Sequence, residues 1–274
     1  MTHLNRRDLA LLLALGLGGA ATAARAAPEK TLPPTHDMSG IAMPPVWTEP
    51  TSVAFLLYPG FTALDVVGPY HMLGNMMAVK LYLVAKTKDP VVSDMGLTIV
   101  PNATFDEVPK DLTVIFVGGG TTGTLAAMQD KETLAFLADR GARARYVTST
   151  CTGSLVLAAA GLLKGYRATS HWIALAALAD FGAIPVDKRV VTDRNRVTGA
   201  GVTAGMDMGL TLLGDIKGRE YAELVQLLAE YAPEPPFNSG SVHTASPEAR
   251  KMLEDMLASF VPQVQAIAKA QKRA

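Results

Sequence analysis

The stretch VTSTCTGSLVLAAAG, Val147–Gly161, runs an apolar strand pattern directly into a helical one, and the only cysteine of the 274 residues stands at the join. The pattern predicts a strand over 145–150, Cys151 at the bend and a helix over 152–161. Such a bend is a nucleophile elbow, and small residues stand where it is crowded, Ser149 two before and Gly153 two after. Unpaired N–H groups and the positive end of the helix dipole at Cys151 favour thiolate over thiol, so a lowered thiol pKa is expected. A cysteine that fills a small apolar gap is the alternative. The strand–Cys–helix context favours chemistry.

Working outward, the same strand-then-helix alternation repeats. SVAFLLY (52–58) is a continuous apolar run closed by Pro59-Gly60, as a buried parallel strand requires. A helix over 64–74 leads to the strand VKLYLVAK (79–86), then a short strand or hairpin passage over 91–100. LTVIFV (112–117) is a further buried strand, closed by Gly118-Gly119-Gly120 and followed by a helix over 130–141. Beyond the elbow, 172–181 is expected to be helical, RVVTDRNRVTGA (189–200) to form two short strands about the Asp193–Asn195 turn, and 203–216 and 218–231 to be helices. A last helix is expected over 247–271. This is an α/β fold, a doubly wound, mostly parallel sheet flanked by helices, with the main domain over 51–245 and the C-terminal helix in 246–274. Chemistry in such sheets gathers beyond the C-terminal strand ends. Three loops reach that edge with reactive or bare residues: Pro59–Asp65, Gly118–Gly120 and Cys151–Thr152.

The ends of the chain and its composition narrow the setting. Twenty-five basic and 25 acidic residues cancel, which removes any general attraction to nucleic acid or anionic membrane. Residues 1–27 have the pattern of an export signal, with Arg6-Arg7 before an Ala/Leu/Gly-rich run and a small-x-small site at Ala24-Arg25-Ala26. The paired arginines point to the twin-arginine route and a periplasmic mature protein. The apolar run is short for a membrane span, so no stable insertion is expected after cleavage, an uncleaved anchor being the alternative. Residues 28–50, with Pro33-Pro34 and Pro44-Pro45, are expected to be a linker or surface arm. In an oxidising compartment a cysteine without a partner in its chain is better explained by chemistry than by scaffolding.

Candidate partners for the thiol follow from position. Asp65 opens the helix after the first strand, between Leu64 and Val66-Val67. There it is either a carboxylate complementing the helix dipole or, in so apolar a setting, a carboxyl of raised pKa able to donate a proton to chemistry at Cys151. Gly119 and Gly120 offer bare backbone N–H groups for a developing anion. With Gly118 and Gly123 they also complete G-x-G-x-x-G, but no acidic residue ends the next strand to hold a ribose. His171 is a base for the thiol, a lining residue, or a structural histidine beside Trp172. Asp207 is a helix-start carboxylate or a more distant partner of the site. His36, Met38, Met43, His71, Met72, Met76 and Met77 match no metal-binding spacing, so no metal is expected.

Taken together, YPGFTALDVVGP (58–69), VGGG (117–120), STCTGSLVLAAAGLLKGYRATSHW (149–172), VTAGMDMGL (202–210) and PPFNSG (235–240) resemble the ThiJ/PfpI family of the class I glutamine amidotransferase-like fold, in its isonitrile hydratase branch. The resemblance spans roughly 52–240. It implies Cys151 as nucleophile, Asp65 as the carboxyl bonded to it, and Thr152 where peptidase-like members carry His. Glyoxalase-like members generally carry Glu where Asp65 stands. The implied reaction is hydration of a small-molecule isonitrile to an N-substituted formamide, without a cofactor, by a homodimer. Glyoxalase, deglycase or amidase chemistry with the same thiol is the rival enzyme reading, and a periplasmic redox sensor or holdase the non-enzymatic one. Related domains serve as sensor halves of transcription regulators, a role that the export signal and the lack of following DNA-binding helices make unexpected here.

Overall fold

A computed structural model describes Gly40 and residues 42–273, and the fold lies in the unit that starts at Met43. The expected export signal and most of the expected 28–50 arm fall outside the described residues. The arm's described end forms one helical turn, α1 (Pro45–Thr48), and Trp47 meets the Tyr221 ring edge-on with centroids 5.1 Å apart.

Among the described residues the sheet has seven strands: β1 (Thr51–Leu56), β2 (Val79–Ala85), β5 (Ala103–Thr104), β6 (Val114–Val117), β7 (Tyr146–Thr150), β10 (Val190–Asp193) and β11 (Arg196–Gly199). Their order is β10-β11-β7-β6-β1-β2-β5, and every pair is parallel except β10 with β11. β6 is buried at every residue and β1 at all but Ser52, which is why these two apolar runs are continuous rather than alternating. The passage over 91–100 is a small antiparallel hairpin of β3 (Val91–Val92) and β4 (Thr98–Ile99).

The helices cover both faces. α2 (Ala63–Gly74) packs on α6 (Ala204–Lys217) through small residues: a Cβ on Gly209 would stand 2.8 Å from Met72 Cβ, and one on Gly205 3.0 Å from Pro69 Cδ. α3 (Thr122–Ala127) and α4 (Lys131–Gly141) follow β6, and α5 (Gly153–Ala159) follows β7. α7 (Arg219–Leu228) completes the domain.

Several elements differ from expectation. α3, β5, and the pair β8 (Arg167–Ala168) with β9 (Ile184–Pro185) are additional, each too short for its periodicity to register. The helix expected over 172–181 is a 3-10 helix, Leu175–Phe181. The final helix is two, α8 (Pro247–Met256) and α9 (Phe260–Gln271). Pro262 causes the break: it is tolerated in the first turn of α9, whereas in a continuous helix it would remove a hydrogen bond and clash with the preceding turn. Ser246 caps α8 by accepting the Ala249 N–H at 3.2 Å.

Candidate active site

β7, β6 and β1 are neighbours in that order, so the three expected loops lie side by side at one edge of the sheet. They interlock through backbone. The Thr62 N–H donates to Gly119 O at 2.7 Å, and a Cβ on Gly153 would overlap Val117 O and stand 2.7 Å from Gly118 O. Only glycine at 153 lets the elbow settle against the end of β6.

Cys151 sits at the bend with φ 58°, a left-handed conformation that a side chain rarely adopts. Its N–H donates to Ala200 O at 2.7 Å and Gly199 O at 3.1 Å, and its carbonyl accepts from the hydroxyls of Ser154 and Ser170. These bonds hold the strained residue from both sides. The thiol residue is only 6% exposed.

Asp65, on the first turn of α2, is 0% exposed. Its Oδ2 accepts the Gly119 N–H at 2.8 Å, while Oδ1 has no hydrogen-bond partner among the described residues. Burial pushes the carboxyl up to about 7, and the Gly119 bond and the Cys151 side chain oppose that rise. Burial also pushes the Cys151 thiol well above its ordinary value, and the neighbouring Asp65 charge adds to the effect. The expectation of a low-pKa thiol is therefore corrected. The start of α5, a helix of seven residues, acts on the thiol through the Thr152 N–H, which lowers its pKa by less than desolvation raises it. Near neutral pH the two groups behave as a coupled pair in which Asp65 can take the thiol proton and deliver it elsewhere.

The oxyanion role expected of Gly119 and Gly120 is also corrected, because both N–H groups are already used. Gly119 bonds Asp65, and the Gly120 N–H donates to Thr152 Oγ1 at 3.1 Å. Thr152 Oγ1 further contacts Gly120 O at 2.7 Å and Thr124 Oγ1 at 2.9 Å, so this hydroxyl anchors the glycine loop. The Thr152 backbone N–H remains directed at the sulfur, where it favours negative charge.

His171 and Asp207 fare differently from the core pair. His171 lies beside the elbow, its Cδ2 3.8 Å from where a Cβ on Gly201 would stand, and its Nδ1 accepts the Ile173 N–H at 3.4 Å. It bonds neither the thiol nor a carboxylate, and burial lowers its pKa. It lines the neighbourhood and does not form a Cys–His pair. Asp207 is removed from the site: its carboxylate accepts from Arg189 at 2.6 Å and from the Tyr231 hydroxyl at 3.1 Å, a partly exposed cluster without contact to Cys151.

Sequence reasoning missed Tyr58 and Thr124. The Tyr58 hydroxyl donates to Gly118 O at 2.7 Å and lies 3.3 Å from Thr124 Oγ1, continuing the Thr152 network beneath the loop. Its place at the end of the apolar run 52–58, two residues past β1, was the available signal. Tyr58 also forms part of the wall of a cavity of about 570 Å³, whose apolar lining includes Leu57, Pro59, Ala85, Val91 and Ala126 but not Cys151.

Residues 51–215 match the DJ-1/PfpI family. The chain belongs to that family. It is 51% identical over 203 residues to the isonitrile hydratase of Pseudomonas putida, covering 73% of this chain and 88% of that one. A crystal structure of a ThiJ/PfpI family protein from Pseudomonas syringae superposes with a TM-score of 0.80 at 54% identity, covering 88% of this chain and 98% of that one. The HTH-type transcriptional regulator GbdR of Pseudomonas aeruginosa is 33% identical over 82% of this chain, which spans 60% of the regulator's length. The expected family and α/β fold are thus both met, and the chain is a homologue of an isonitrile-hydrating enzyme.

Proposed function

We propose that the chain adds water to an isonitrile, R–N≡C, and releases the N-substituted formamide. The observation that carries this reading is the buried Asp65 carboxyl, fixed by Gly119 and adjoining the Cys151 thiol. The 51% identity to the Pseudomonas putida enzyme supports it. The terminal isonitrile carbon is electrophilic and suits sulfur. Asp65 takes the thiol proton as Sγ bonds to that carbon, then places the proton on the same carbon, leaving the thioimidate Cys151–S–CH=N–R. Water adds to the C=N bond, and collapse of the tetrahedral carbon expels the thiolate, which recovers its proton from Asp65. The Thr152 N–H steadies charge on sulfur in both halves.

Incubation of purified protein with cyclohexyl or p-nitrophenyl isocyanide, with formamide followed by chromatography, tests the reaction. Turnover that disappears in Cys151→Ser supports it. No formamide across a broad isocyanide panel overturns it.

The setting belongs to the same proposal. Arg6-Arg7 and the Ala24–Ala26 site direct the chain out of the cytoplasm, and the mature enzyme acts as a homodimer on a small molecule. N-terminal sequencing of periplasmic protein is expected to start near Ala27, and sedimentation to give twice the mature mass. A cytosolic pool with intact Met1 as the dominant form, or a monomer, would refute the respective point.

A further inference from the structure

We infer that Thr150 holds the water that attacks the thioimidate, setting it against Asp65; this deepens the isonitrile-hydrating reading and rests on it. Thr150 is fully buried, and its Oγ1 has no hydrogen-bond partner among the described residues. On the same face of the strand Thr148 Oγ1 donates to Ile115 O at 3.0 Å, and Thr124 and Thr152 bond each other; the Ser149 hydroxyl is also unpaired, but strand alternation turns it to the opposite face from Thr150. An unpaired buried hydroxyl costs stability that valine at the same place would not lose. A use for it outside the folded protein's own bonds accounts for its presence.

Its position supplies that use. The register Val117↔Ser149 sets Gly118 beside Thr150 on adjacent parallel strands, and residues so paired point to the same face. On that face a Cβ on Gly118 would stand 3.1 Å from Asp65 Cβ. Thr150 Oγ1 and Pro69 Cδ each lie 3.0 Å from where a Cβ on Gly205 would stand. Pro69 is one turn beyond Asp65 in α2 and has no N–H to offer the Asp65 carbonyl. Asp65 Oδ1, the Asp65 carbonyl and Thr150 Oγ1 therefore share one buried region beside Cys151, and they provide the two to four polar partners that a buried water needs.

The step balances with these groups alone. The water oxygen bonds to the thioimidate carbon, its proton passes to the Asp65 carboxylate, and Asp65 returns it to the imine nitrogen. The hydroxyl on the tetrahedral carbon then gives its proton to Asp65 as the C–S bond breaks, and Asp65 protonates the departing sulfur. The sum is Cys–S–CH=N–R plus water giving Cys–SH plus HC(=O)–NH–R. Thr150 forms no covalent bond.

Rapid-quench intact-mass measurement with cyclohexyl isocyanide separates the two halves. Wild type and Thr150→Ser are expected to turn over without accumulating adduct. Thr150→Val is expected to form the Cys151 adduct at the wild-type rate, to accumulate it, and to lose kcat by about tenfold or more. If Thr150→Val does not fold by circular dichroism, Thr150→Ala is read in the same way. Wild-type kcat without adduct in the valine or alanine variant overturns the inference. So does loss of adduct formation itself, which would mark a structural role. If wild type yields neither adduct nor formamide, the isonitrile reading fails and this inference falls with it.

Discussion

Gly119 and Asp65 are joined so closely that no side chain fits between them. The Gly119 N–H meets Asp65 Oδ2 at 2.8 Å, and a Cβ on Gly119 would stand 2.8 Å from that oxygen and 2.6 Å from Thr152 N. Gly119→Ala is therefore expected to displace the carboxyl from the thiol and to lower kcat by about a hundredfold, with about 1–3 kcal/mol of stability lost to overpacking. Steady-state kinetics and urea unfolding measure the two effects, and an alanine variant with wild-type kcat would contradict the geometry.

Asp65 also sets a pH dependence of stability. Unfolded, its carboxyl loses its proton near the ordinary value of about 3.9, whereas folded it keeps the proton to about 7. Between those values the folded state binds more protons, so Asp65's contribution to stability is fullest below about pH 4 and is lost as pH rises to about 7. The loss from this residue is on the order of 4 kcal/mol. Asp65→Asn should remove that decline. Urea midpoints at pH 4.5, 6 and 7.5 compare the two proteins, and parallel curves would refute the assignment.

The coupled pair predicts a particular activity profile. Activity needs one proton shared between Asp65 and Cys151, so kcat/KM should fall on the acid side near pH 7, where Asp65 gains its proton. On the basic side it should fall only above about 8.5, the ordinary thiol value, because burial and Asp65 both raise the thiol. Alkylation of Cys151 by iodoacetamide should show a midpoint above that value in wild type. Asp65→Asn removes the nearby charge, so its midpoint should shift down. A wild-type midpoint well below 8.5 would restore the low-pKa thiol.

Asp207 tests the boundary of the site. Its carboxylate is engaged by Arg189 and Tyr231 on a partly exposed surface. Asp207→Asn should leave kcat/KM within about twofold of wild type and cost under about 1 kcal/mol, as exposed ion pairs do. A fall of tenfold or more in the isocyanide assay would return Asp207 to the catalytic region.

The parts of the site that were legible in the sequence are those written in contiguous residues. Cys151 was marked by a strand pattern running into a helical one, and Asp65 by a carboxylate among Leu64, Val66 and Val67 after a buried strand. Pro262, which divides the C-terminal helix, is equally readable in the sequence, since proline is tolerated only in the first turn of a helix. Tyr58 was visible only as the last residue of an apolar run, with nothing nearby to show that its hydroxyl reaches Gly118 and Thr124.

The sequence by itself determined the α/β class, the elbow and the candidate pair Cys151 and Asp65, because periodicity and turn chemistry act over a few residues. Tertiary structure alone decided what each group is free to do. Only the neighbouring of β7, β6 and β1 brings Asp65 to Gly119, 54 residues away, and Gly120 to Thr152, 32 residues away. Those bonds consume the N–H groups that the glycine loop promised to an oxyanion. The burial of Cys151 beside Asp65 likewise reverses the direction in which the helix start would move the thiol pKa. Hydrogen-bond occupancy and desolvation are set by whatever groups surround an atom in space, and that information does not reside in the few residues on either side of it.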